Sequence, residues 1–199
     1  MANRAATEHP VRRGARTPRQ RAGAPNRHAG APVSPAAEAP WRLPMAAREP
    51  ARTVVLRLAL ALLAGMRGYE DGIARGLDPE CLHQYRVLLR RLRSLVTQMR
   101  CSLPDKVTRM LRDGLRDLAR RTGRLRDLDV LLLAEPAYRR LVPDTLLPQV
   151  ARAFLASRRL RGLERGRLVQ HLRSRRYAIL MAELYQAILA ALQAPVPGR

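Results

Sequence analysis

The amino-acid sequence predicts an all-α protein, an antiparallel bundle of about four to five helices preceded by a disordered N-terminal tail. Three observations predict it. From Arg52 onward, apolar residues recur with helical spacing. Proline-containing breaks divide this region at Asp78-Pro79-Glu80, Leu103-Pro104-Asp105 and Glu135-Pro136. Neither an alternating strand pattern nor an Asn-Gly hairpin occurs.

Residues 1–50 carry no hydrophobic period. They hold prolines at 10, 18, 25, 32, 35, 40, 44 and 50, among many Ala, Gly and Arg. Nine arginines against three glutamates leave the segment at about +6. This composition predicts a disordered basic tail. It is Arg-rich and acid-poor like a transit peptide, but its prolines argue against an amphipathic helix.

The bundle is expected over residues 51–194, with 195–199 as a second tail. A first helix should run from about Arg52 to Arg75, loosened at its end by Gly65, Gly68, Gly72 and Gly76. Asp78-Pro79-Glu80 then reads as N-cap, first-turn proline and first-turn acid. The second helix follows to about Cys101. A third is expected from Asp105 to about Ala134, a fourth from Asp144 to about Gly162, and a fifth from Arg165 to Leu192.

The formal charge of the 199 residues is +22, from 38 Lys and Arg against 16 Asp and Glu. Lys106 is the one lysine. Such a chain attracts polyanions: nucleic acid, polyphosphate or an anionic surface. Cys81 and Cys101 fit no metal spacing and, on one helix, would stand ~30 Å apart. They read as reduced thiols in a cytoplasmic protein. The most apolar run, Val54 to Met66, is short and interrupted by Arg57, so no membrane span is expected.

The stretch "LHQYRVLLRRLRSL", residues 82–95, divides on a helical wheel into two faces. Leu82, Tyr85, Leu88, Leu89, Leu92 and Leu95 form an apolar arc that Val96 and Met99 continue. Beside it, His83, Arg86, Arg90 and Arg93 form a ladder ~15 Å long, and Arg91 lies on the other margin. Like charges stacked three and four apart repel by a few tenths of a kcal/mol per pair. A polyanion against the row would relieve this, and the planar arginine fork suits phosphate. The alternative is a solvated basic face in an arginine-biased composition. On the third helix, Asp129 shares the apolar face of Val107, Leu111, Leu115, Leu118, Leu125 and Leu132. It must be paired there or neutral, an arginine of a facing helix is the expected partner, and its role at the site would be to orient arginines from inside. Arg126 lies at the edge of that face. On the last helix, Arg173 and Arg176 lie beside the face of Tyr177, Leu180, Met181, Leu184 and Ile188, and could complete a basic lining.

Three segments together resemble the CHAD family, the conserved-histidine α-helical domains. They are "LHQYRVLLRRLRSL", "GRLRDLDVLL" and, more weakly, "LRSRRYAIL". The resemblance covers about residues 52–192. It implies a helical domain that binds inorganic polyphosphate through a basic surface and associates with polyphosphate granules. It also implies pairing with CYTH-type triphosphatases. By position it carries over His83, Arg86, Arg90, Arg91 and Arg93 from the first motif, Arg126 from the second and Arg176 from the third. Family members usually contain two related halves, the second with its own histidine–arginine helix. No second such helix is found here: His171 is followed by Arg173 and Arg175, at the wrong spacing. A homodimer would supply the other half; otherwise the domain is truncated.

Two other function classes compete. General basic charge would also bind nucleic acid, but aromatics for stacking bases are few: Trp41, Phe154 and five tyrosines. For catalysis there is no His-Glu-x-x-His, no Gly-rich phosphate loop with lysine and no Glu-x-Glu-x-Lys pattern. The protein is therefore expected to be a non-enzymatic binding module, without cofactor or metal.

Overall fold

Helix punctuation in the sequence accounts for most of the observed architecture, and the computed structural model departs from it at three places. It describes residue 46 and residues 48–76 and 78–194, which fall in one compact unit. The tails expected over 1–50 and 195–199 lie outside the described residues, except for 46 and 48–50. The described chain is helical, with no strand. Five long helices form it: α1 (Ala51–Arg67), α3 (Pro79–Gln98), α4 (Asp105–Leu133), α6 (Leu147–Leu172) and α7 (Arg175–Gln193). Two short ones, α2 (Glu70–Arg75) and α5 (Glu135–Leu141), sit between them, with 3-10 turns at Arg100–Ser102 and Asp144–Leu146.

The start of α3 follows its sequence signal. Asp78 is extended, its side chain accepts from the Glu80 amide at 2.7 Å, and Pro79 occupies the first turn. One orphan amide is thereby satisfied where proline has none to offer. Just before it, Gly76 closes α2 at φ 67°, and a Cβ there would lie 2.1 Å from the Arg165 guanidinium. Glycine is required on both counts.

The first joint is at Gly68-Tyr69. The single helix expected over 52–75 ends at Arg67, and α2 restarts with Glu70 and Asp71 in its first turn. The second departure is larger. Instead of ending near Gly162, α6 runs on through Gly162 and Gly166. Each interior glycine costs about 1 kcal/mol relative to alanine. Tertiary contacts outweigh that cost: Phe154 and Leu168 are buried, and Arg165 Nη2 donates to the Ala74 carbonyl at 2.7 Å. The chain breaks at Ser174, which caps α7: its Oγ accepts from the Tyr177 amide at 3.2 Å and donates to the His171 carbonyl at 2.7 Å. Pro136, expected as a stop, opens α5.

The core lies where α1, α3, α4 and α7 meet. Leu56, Leu62, Leu63 and Met66 face Tyr85, Leu89 and Leu92, and Leu111, Leu115, Leu118, Tyr177 and Met181 close it, all fully buried. Each such leucine contributes roughly 1.5–3 kcal/mol. Inside, Tyr85 Oη lies 3.3 Å from Tyr177 Oη, and Tyr177 donates to Glu70. Burial, more than any charge, pushes both phenols and Glu70 upward. The bundle leaves one outward margin of α3 lying along one margin of α4.

Candidate polyanion-binding groove

The ladder on α3 borders α4, which runs back antiparallel to it. Arg86 is half-buried, and its Nη1 donates to the Ala119 carbonyl at 3.2 Å and to Thr122 Oγ1 at 2.9 Å. Thr122 in turn donates to the Leu118 carbonyl at 2.8 Å, which fixes its hydroxyl as the acceptor for Arg86. Arg90 and Arg93 follow on the same margin, exposed, and half-buried His83 lies one turn before Arg86. Burial lowers the Arg86 pKa; Asp127 raises it in part, and Arg126, Arg93 and Arg90 lower it again. Arg126 of α4 therefore belongs to the same electrostatic neighbourhood as the α3 ladder.

Farther along, Arg93, Val96 and Thr97 of α3 and Arg112, Leu115 and Arg116 of α4 line one groove. Val96 and Leu115 are buried and floor it. A second, more open hollow is bordered by Arg90, Arg93, Ser94, Thr97 and Gln98. Arg112 and Arg116 were not among the residues that the sequence singled out.

Several acids are taken up by nearby arginines. Asp117 is held by Arg120 at 2.7 Å and Arg121 at 2.6 Å. Burial would raise its pKa, but those two hydrogen bonds hold it below the ordinary carboxylate range. Glu135 is held by Arg139 at 2.9 Å and by Arg158, and Glu164 by Arg167 at 2.8 Å and Arg124 at 3.6 Å. Among the described residues, no acid lies within ion-pair distance of Arg86, Arg90, Arg93, Arg112 or Arg126. Arg116 has only a loose, exposed contact with Asp113 at 3.8 Å.

The remaining sequence candidates fall elsewhere. Arg91 is exposed on the margin of α3 away from α4. Arg173 caps α6 and Arg176 opens α7. Both are exposed at the α6–α7 joint, and Arg176 acts there with Arg121 on His171, on the other side of α4 from the groove. They do not complete the lining expected of them. Asp129 is 2% exposed, and Arg161 Nε donates to its Oδ1 at 2.6 Å. That pair joins α4 to α6 and leaves Asp129 away from the ladder.

Among the described residues, no group of three or more His, Cys, Asp or Glu could hold a metal ion, and no helix is long and apolar enough to cross a membrane. Cys81 is buried and Cys101 exposed, both as free thiols. No curated protein matches the chain. The CHAD domain model matches residues 57–198, which takes in α3, α4 and the α6–α7 joint. With that match over most of its length, the chain belongs to the CHAD domain family.

Proposed function

We propose that the protein binds inorganic polyphosphate, without catalysis, along the α3 margin and the adjoining part of α4. The CHAD domain is associated with polyphosphate binding in general. The observation that carries the reading to these residues is the row Arg86, Arg90, Arg93 and Arg126, without ion pairs in a molecule whose buried and half-buried acids are largely taken up by other arginines. Stacked guanidinium groups repel one another unless an anion lies against them. A chain of phosphates meets that need with repeated charge and no bases. The row carries no aromatic ring other than that of His83 on which a base could stack. On this reading the protein associates with polyphosphate granules.

The direct test uses charge reversal of Arg90 and Arg93. Both are exposed and neither makes a hydrogen bond that the fold needs. Arg86 is left alone, because its reversal would strand the Ala119 carbonyl and Thr122. R90E/R93E should lose polyphosphate binding in a gel-shift assay at ~150 mM salt and keep its helical circular dichroism. Unchanged binding by a folded variant would sink the assignment. Competition with single-stranded DNA at the same salt separates the polymers: equal affinity would make this a general basic nucleic-acid binder instead.

A further inference from the structure

We infer that Arg112 and Arg116 of α4 form a second rail of the groove, so that the site selects linear polyanions by length. The inference rests on the polyphosphate reading above and adds to it two residues and a selection rule.

The α4 margin facing α3 carries Arg112, Arg116, Ala119, Gly123 and Arg126, spaced four, three, four and three apart. That spacing places them in one row. Its middle is small. There Arg86 crosses from α3, its Nη1 on the Ala119 carbonyl and 3.8 Å from where a Gly123 Cβ would stand. Its ends are charged. At one end Arg112 and Arg116 face Arg93 across the groove floored by Val96 and Leu115. At the other, Arg126 joins Arg86. Arg90 lies between, on the opposite rail.

From Arg112 to Arg126 is fourteen residues, or ~21 Å of helix. A compact phosphate anion reaches one end only. A chain that spans both ends makes its second contact intramolecularly, at an effective concentration set by the span. Such linkage raises affinity by roughly 10²–10⁴ without any new kind of contact.

The experiment measures affinity of the full chain for inorganic triphosphate and for polyphosphates of increasing defined length, past the ~21 Å span. Wild type should show a rise of about 10²-fold or more once the ligand bridges both ends, then level off. R112Q/R116Q should flatten that rise and keep its circular dichroism. R152Q/R159Q removes the same charge from exposed positions on α6 and should keep the rise. An undiminished rise in R112Q/R116Q, or equal flattening in both variants, overturns the second rail. Smooth growth with length in wild type overturns the span rule. Absence of binding at every length in wild type overturns the polyphosphate reading itself, an outcome distinct from the other failures.

Discussion

Replacing Arg90 and Arg93 by glutamine should reduce the salt dependence of polyphosphate binding by a set amount. Six arginines lie along the facing margins of α3 and α4: Arg86, Arg90, Arg93, Arg112, Arg116 and Arg126. Five have no ion pair among the described residues, and the sixth has only the 3.8 Å contact with Asp113. For a flexible single-stranded polyanion, each phosphate neutralised contributes a slope of about −0.7 to log K against log salt. Six contacts predict a slope near −4, which is about 300-fold weaker binding between ~50 and ~200 mM salt. Removing two predicts a slope near −3 and a loss of only about 50-fold over the same range. R173Q/R176Q removes equal charge at the α6–α7 joint and should leave the slope at its wild-type value. The assay is fluorescence polarisation of labelled polyphosphate at four or five salt concentrations. A wild-type slope near −8 would mean that arginines all round the molecule take part. An unchanged slope in R90Q/R93Q, or an equal fall in R173Q/R176Q, would refute the groove as the seat of binding.

Other outcomes follow from the same contacts. Asp129→Ala should cost about 2–4 kcal/mol in urea denaturation, toward the lower side of the range for breaking a buried pair because the Arg161 side chain is 25% exposed. D129L/R161L should recover most of that, since Asp129 Oδ2 has no partner even in the intact protein. A D129A variant within about 0.5 kcal/mol of wild type would remove the pair from the structural account. Ser174→Ala should lower stability by about 1 kcal/mol through loss of the α7 cap, read by thermal melting. His171 has its pKa lowered first by burial and then by Arg121 and Arg176, with Asp117 opposing them. The unfolded chain therefore takes up the proton first as pH falls. Stability from this group is present above the ordinary value of 6.5 and declines from there through the lower folded value. H171Q should flatten that decline in melts at pH 5 to 7.5; the same decline in H171Q would assign it to other groups.

The parts of this fold that are legible in the sequence are those decided locally. Asp78-Pro79-Glu80 fixes the start of α3 because cap, proline and acid act within one turn. The leucine arc of α3 is equally local, since a single helix wheel contains it. Asp129 could be read as paired because an acid on an apolar face has no other stable state, although its partner Arg161 could not be named. The continuity of α6 was not legible. Two glycines there weaken the local signal, and the contacts that override it come from Ala74, Arg124 and Asp129, far away in the chain. Ser174 carried a legible signal: a serine N-cap three residues before Tyr177.

The second rail was hidden for a different reason. Arginines cover the whole polar arc of α4, at 109, 112, 116, 120, 121, 124 and 126, so its wheel singles out no one margin. Only packing separates them. Asp117 takes up Arg120 and Arg121, Glu164 contacts Arg124, and the margin left over is the one along α3. Net charge alone therefore does not locate a site in this protein. Arginines are everywhere, and what sets the groove apart is that several without ion pairs share the facing margins of two packed helices. Ala119 and Gly123 were the available hint, because small residues four apart on one face permit another helix to approach. Here the approach is made by Arg86, whose two hydrogen bonds anchor the ladder to α4 and hold the two rows at one separation. The same anchoring makes Arg86 part of the fold as well as of the groove, which is why the exposed Arg90, Arg93, Arg112 and Arg116 are the residues that report on binding alone.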